Sequence, residues 1–188
     1  MNRDHTGAEH LLALDLPVAP AEIGQLATVR LASISLIFFD CDGVLTDGRI
    51  WVDAQGNESK AFSVVDGHGV AMLREAGVLV GLITRSPEGI PTARARKLRF
   101  DLIRTGVMDK AAAVRDILAE RGIPAAEVAF MGDDLPDLAA FDLVGLTIAP
   151  PTARPQVLAR AQATTRALPG HGAVREVCDA LIVARKPI

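Results

Sequence analysis

The sequence has no excess of charge of either sign. Its 20 basic and 23 acidic residues leave a formal net charge of -3, which removes the electrostatic case for a nucleic-acid partner. It also lacks any apolar run long enough to span a bilayer. The one candidate targeting segment is MNRDHTGAEHLLALDLPVAP. Its apolar part is short, broken by Asp15 and Pro17, and preceded by acidic residues, so residues 1–20 read as a loosely ordered extension rather than a secretory signal. Cysteine is scarce. Cys41 and Cys178 make no metal-ligating spacing, and a reduced cytoplasmic protein is the simpler reading. There is no internal repeat and no low-complexity tract. What remains is an apolar chain: 49% of its 188 residues are hydrophobic and 23% charged. That composition excludes a disordered or membrane protein and suits one domain, taken as residues 21–188.

Apolar runs alternate with helical patterns along that domain. Strands are expected over Leu36–Asp40, Val78–Thr84, Leu102–Ile103, Val128–Gly132 and Gly145–Ile148. Helices are expected over Glu22–Leu31, Gly69–Ala76, Pro87–Leu98, Lys110–Arg121, Pro136–Phe141 and Val174–Ala184. The Lys110 helix is the best marked. Asp109 can cap it, Val114, Ile117 and Leu118 form its apolar stripe, and Gly122 and Pro124 end it. Strands apolar on both faces and alternating with helices imply an α/β fold with a parallel sheet covered on both sides. One segment breaks the alternation. RIWVDAQGNESKAFSV has two short strand-like runs about a polar turn, which predicts a β-hairpin.

In open parallel sheets, ligands bind beyond the carboxyl ends of the strands. The first strand ends in Asp40, with Asp42 just beyond, and the second ends in Thr84, followed by Arg85 and Ser86. Lys110 opens the helix after the third, and the fourth runs into MGDDLPD, giving Asp133, Asp134 and Asp137. Several carboxylates in one crevice require a cation, and oxygen donors without histidine or cysteine favour a hard ion, Mg²⁺. A hydroxyl and a lysine beside such a site suit a phosphoryl group, and a carboxylate can itself attack phosphorus.

DCDGVLTDG, a strand-ending Thr84, Lys110 and GDDLPD, in that order, resemble the haloacid dehalogenase (HAD) superfamily of phosphohydrolases. The longer stretches DGVLTDGRIWVDAQGNESKAFSVVDGHGV and GHGAVREVCD are similar to the 3-deoxy-D-manno-octulosonate 8-phosphate (KDO 8-phosphate) phosphatases. They are also similar to the related nonulosonate 9-phosphate phosphatases and to the phosphatase-like domains attached to some acylneuraminate cytidylyltransferases. The resemblance implies a Rossmann-like HAD fold and hydrolysis of a sugar-acid phosphate through an aspartyl-phosphate. Asp40 would be nucleophile and Mg²⁺ ligand; Asp42 would be general acid/base and touch the metal through its carbonyl. Asp133 would ligate directly and Asp134 directly or through water. Thr84 and Lys110 would hold the phosphoryl group, with Asp137 orienting Lys110. Only 42 positions separate Asp42 from Thr84, and 26 separate Thr84 from Lys110, which leaves no room for a folded cap domain. In the resembled subfamily the hairpins assemble a homotetramer. Ile50, Trp51, Val52 and Phe62, expected to be exposed, suit that role.

Other residues carry two readings. Asp66 and His68 either cap the next helix or face the substrate, and Arg175 is either a surface cation or lies near the substrate entrance. Asp47 reads as a turn residue, Cys41 as buried filler, His171 as a loop residue, and Arg94, Arg96, Lys97 and Arg99 as a solvated helix face. ITRSPEGIP departs from the subfamily, which usually has glycine then arginine after the threonine, so the direction of Arg85 and the identity of the sugar acid stay open. A phospho-accepting signalling module uses similar residues, but there the acidic pair precedes the phosphorylated aspartate. Here GDD comes last. A catalytically weak homologue is the third alternative.

Overall fold

The computed structural model describes residues 21–185; the expected N-terminal extension lies outside the described residues. The first described elements are a two-residue strand β1 (Ala21–Glu22), a 3₁₀ turn (Ile23–Gln25) and a short helix α1 (Thr28–Ala32). The single helix expected over 22–31 is therefore broken. Ala21 and Glu22 are held extended by pairing with residues 163 and 164, and Gly24 adds little helical preference. Leu36–Phe39 forms β2, buried on both faces, so each of its side chains contributes about 1.5–3 kcal/mol of burial. The expected hairpin follows as β3 (Trp51–Val52) and β4 (Glu58–Ser59), paired antiparallel. Asp53 staples its turn by accepting the N–H groups of Gln55 and Asn57.

Helix α2 (Val64–Glu75) starts five residues earlier than expected, because the Ser63 hydroxyl accepts the Asp66 N–H at 3.2 Å and caps it. Strand β5 (Leu79–Ile83), α3 (Ile90–Lys97), β6 (Leu102–Arg104) and α4 (Lys110–Arg121) come next. Asp109 caps α4 through the Ala112 N–H, and Gly122 ends it in the left-handed region. Then come β7 (Val128–Met131), a 3₁₀ turn (Leu135–Asp137), α5 (Leu138–Phe141), β8 (Leu146–Ala149), α6 (Pro155–Leu158), β9 (Ala163–Thr164) and α7 (Ala173–Ala184).

Seven strands form one sheet in the order β1-β9-β8-β7-β2-β5-β6, and all its pairings are parallel. The edge strand β1 and its neighbour β9 were not expected; two residues carry no readable period. Alternate strand residues feed two cores. Ile37, Phe39, Val80, Leu82 and Met131 face the side covered by α2 and α7. Phe38, Ile83 and Phe130 face the side covered by α4 and α5. Gly81 leaves space for the Phe38 ring, which a Cβ there would meet at 2.4 Å. The chain runs from β2 outward to β5 and β6, then returns to β7 on the other side. That reversal opens a crevice at the carboxyl ends of β2 and β7. Between Asp42 and Thr84 lie only the hairpin, α2 and β5, and among the described residues no cap covers the crevice.

Candidate active site

Beyond the strand ends lies an open crevice of about 410 Å³, whose lining includes Asp40, Asp42, Thr84, Lys110, Asp133 and Asp137. Asp40 follows β2 and stays in register with it, its N–H donating to the Met131 carbonyl. One carboxylate oxygen accepts the Cys41 N–H at 2.7 Å; the other lies 2.9 Å from Lys110 Nζ. Burial, opposed by Lys110 and reinforced by Asp137, pushes the Asp40 carboxyl up to about 6.

Lys110 is only 2% exposed. Its ammonium also meets Asp137 Oδ1 at 2.5 Å. Burial alone would lower its pKa, but Asp40 and Asp137 outweigh that and hold the charged form. The second Asp137 oxygen accepts the N–H groups of Asp133 and Asp134 at 2.9 and 3.1 Å. Asp137 is thus fully engaged in orienting Lys110 and the loop after β7. Thr84 directly follows β5, and its hydroxyl accepts the Ser86 N–H at 3.2 Å. It keeps its own proton to donate into the crevice.

The acidic cluster has a gap that suits a cation. Oxygens of Asp40, Asp133 and Asp137 lie within 4.8 Å of one another. Asp133 Oδ1 is buried and has no hydrogen-bond partner among the described residues. Burial, then the charges of Asp40, Asp137 and Asp134, push the Asp133 carboxyl up to about 8. An orphaned, crowded carboxylate among oxygen donors fits a hard divalent ion. Gly43 allows this approach: at φ +78 it takes a conformation that favours glycine, and a Cβ there would meet Asp133 Oδ2 at 2.1 Å. Asp134 lies outside the cluster. It caps the 3₁₀ turn through the Leu135 N–H, faces Arg154 at 3.6 Å, and is half exposed.

Asp42 lies beside this centre, and its Oδ2 accepts from Lys60 Nζ at 2.8 Å and from the Ser86 hydroxyl. Lys60 was not singled out in the sequence, and Ser86 was named only as a polar residue after Thr84, with no role. Ser86 had a legible signal in its place just beyond Thr84, at the end of the sheet where ligands bind. Lys60 had only its place as the hairpin's lone cation after the turn.

Of the four substrate candidates, Arg85 alone lines the crevice. Asp66 is buried, and its oxygens accept the N–H groups of Gly172 and Arg175, so it ties α2 to the start of α7. The Arg175 guanidinium is spent on Asp179 at 2.8 Å, and His68 is exposed on α2. Two further expectations are corrected. Arg94 is not on a solvated face: it donates to the Ser63 carbonyl at 2.8 Å and lies over the Phe62 ring. Phe62 is correspondingly half-buried against the core rather than exposed. Asp47 accepts the Arg49 N–H in a turn. Cys41 is buried, its thiol pushed up to about 12 by burial and by Asp42.

Residues 87–176 match the model of the haloacid dehalogenase-like hydrolases. The 3-deoxy-D-manno-octulosonate 8-phosphate phosphatase KdsC of Yersinia pestis is 39% identical over 156 residues, covering 83% of this chain and 83% of that protein. A hypothetical protein of Xanthomonas campestris superposes with a TM-score of 0.81 at 43% identity, over 95% of this chain and 91% of that one. The KDO 8-phosphate phosphatase of Moraxella catarrhalis, solved with magnesium, phosphate and KDO, gives a TM-score of 0.81 at 35% identity, over 84% and 91% of the two chains. With Asp40 and Asp42 just beyond β2, Thr84, Lys110 and Asp133 around one crevice, this chain belongs to the haloacid dehalogenase-like hydrolases, in the family of the KDO 8-phosphate phosphatases.

Proposed function

We propose that this chain is a Mg²⁺-dependent phosphatase that hydrolyses KDO 8-phosphate to KDO and phosphate. The observation that carries this is the convergence of Asp40, Asp42, Thr84, Lys110 and Asp133 on one uncapped crevice, in a chain whose relatives are named for that reaction. Asp40 and Asp133 would hold Mg²⁺ together with the Asp42 carbonyl, with Asp134 acting through water. Bound there, the ion neutralises phosphoryl charge and relieves the Asp133 carboxylate.

This chain's own groups do the rest. Lys110 and the Thr84 hydroxyl hold the phosphoryl oxygens. An Asp40 oxygen attacks phosphorus, the bond from phosphorus to the sugar oxygen breaks, and Asp42 gives that oxygen its proton. Water then attacks the aspartyl-phosphate, and Asp42 takes the water's proton. Arg85, which lines the crevice, would meet the sugar acid's carboxylate.

The reading is tested by Mg²⁺-dependent phosphate release from KDO 8-phosphate beside nonulosonate 9-phosphates. Turnover should favour the former and vanish in Asp40→Asn; survival of activity in that variant would remove Asp40 as nucleophile.

The same reading includes a homotetramer built through the hairpin. Ile50, Trp51 and Val52 are 46%, 52% and 63% exposed, and Val64 and Val65 follow at the start of α2. Trp51→Glu should lower the mass measured by light scattering, and an unchanged mass would remove the hairpin from assembly. Two buried free cysteines suit a reducing cytoplasm, and among the described residues no helix is long and apolar enough to cross a membrane.

A further inference from the structure

Lys60 stands one residue beyond β4, yet its side chain is 3% exposed. It runs from the hairpin to the edge of the crevice, where Nζ lies 2.8 Å from Asp42 Oδ2 and 3.2 Å from Ser86 Oγ. The Ser86 hydroxyl donates to the same Asp42 oxygen. Among the described residues, the other oxygen, Oδ1, has only the Thr46 hydroxyl at 3.4 Å. A buried ammonium is tolerated only when paired, and here its partners are the Asp42 carboxylate and the Ser86 hydroxyl. Lys60 is not among the residues lining the crevice, so it is not placed to hold the phosphoryl group as Lys110 is.

We propose that Lys60 is a positioning residue. With Ser86 it fixes Oδ2 of Asp42, and so assigns Oδ1 as the oxygen that passes the proton. The inference rests on the phosphatase reading above. An oxygen receiving an ammonium and a hydroxyl has no open direction in which to carry a proton to the substrate. A proton on Oδ2 would also face the ammonium's own hydrogens. The step is then fully specified. As the bond from Asp40 to phosphorus forms and the ester bond breaks, the proton on Asp42 Oδ1 moves to the departing oxygen. The alcohol leaves and Asp42 remains a carboxylate. Charge-assisted bonds to one oxygen also stop the carboxyl from rotating, and such placement matters because small displacements cost heavily in rate.

The experiment measures kcat/KM, which reports steps up to the first phosphoryl transfer, over a series of alkyl and aryl phosphate monoesters with Mg²⁺. Wild type, Lys60→Met, Lys60→Arg and Ser86→Ala are compared in the full chain. Lys60→Met should lose about 10–100-fold on alkyl esters, whose oxygen needs a proton to leave. It should lose less than about 3-fold on p-nitrophenyl phosphate, whose oxygen does not. Lys60→Arg should recover most of the alkyl-ester rate, and Ser86→Ala should show a smaller loss of the same kind. Emission from Trp51, the one tryptophan, reports whether the hairpin stays seated.

Equal losses on both ester classes, or no recovery with arginine, would overturn the proposal and leave Lys60 as a hairpin anchor. If wild type hydrolyses simple alkyl and aryl esters but not KDO 8-phosphate, only the substrate assignment fails, and the ester series still decides on Lys60. If it hydrolyses none of them, the phosphatase reading and this inference fall together.

Discussion

Asp133→Asn should make the metal-free protein more stable while removing its metal response. Asp133 is pushed up to about 8 from an ordinary 3.8 by burial and by the charges of Asp40, Asp137 and Asp134. Its Oδ1 has no partner among the described residues. With Mg²⁺ chelated, folding at neutral pH must bring a proton to this carboxyl. Each pH unit between 3.8 and the working pH costs about 1.4 kcal/mol, so the cost at pH 7 is at most about 4 kcal/mol. Water reaching the open crevice screens part of it, which leaves about 2–4 kcal/mol. The sign follows from the raised folded value: the penalty is absent below about pH 4, grows as pH rises, and is complete near pH 8. Asparagine needs no proton, and its amide can donate towards Asp40. In EDTA at pH 7 the variant's Tm should therefore exceed wild type by roughly 4–16 °C, and the gap should close towards pH 4. Mg²⁺ at a hundred times its Kd should raise wild type by about 2.7 kcal/mol and leave the variant unmoved. Calorimetry with and without Mg²⁺ at pH 4, 5.5 and 7 reads all three effects. A variant less stable than wild type in EDTA at pH 7, or an advantage that does not shrink with acid, would refute the reasoning.

Gly43→Ala places a Cβ 2.1 Å from Asp133 Oδ2 at φ +78. It should cost about 1–2 kcal/mol in backbone strain and raise the Mg²⁺ needed for half-maximal phosphate release by roughly 10-fold or more. Lys110→Met leaves Asp137, 1% exposed, and Asp40 without their cation; urea unfolding should show a loss of about 3–5 kcal/mol, together with loss of turnover. Asp66→Ala frees two N–H groups at the start of α7 and should cost about 1–2 kcal/mol with KM nearly unchanged, whereas a large rise in KM would return Asp66 to the substrate.

The parts of the site that are legible in the sequence are those whose position depends on one strand or helix. Asp40, Thr84 and Asp133 each follow an apolar run, and Lys110 opens a capped helix, so the parallel-sheet rule alone brings them together at one end of the sheet. Residues whose role depends on how distant segments return are not legible. Asp66 meets its partners across 106 and 109 positions. Arg94 reaches Ser63 across 31, and Lys60 reaches Ser86 across 26. No local pattern encodes those returns. The two-residue strands β1 and β9 escape for a different reason: two residues define neither a period nor a face. The hairpin is legible from its polar turn, but the burial of its lysine is not.

That lysine bears on how an uncapped site is closed. Two strands of two residues each do not hold a hairpin in place by their own pairing. Here one side of the hairpin presents Ile50, Trp51 and Val52 to solvent, while Lys60 at its end is buried against Asp42. If a neighbouring copy covers the apolar side, the same contact that assembles the protein also seats Lys60, and thereby the proton-carrying oxygen of Asp42. Assembly and acid catalysis would then fail together and in a recognisable way. Trp51→Glu should lose rate on alkyl phosphates more than on p-nitrophenyl phosphate, as Lys60→Met should, although it alters no residue of the crevice. A Trp51→Glu protein of reduced mass with equal losses on both esters would separate assembly from the placement of Asp42.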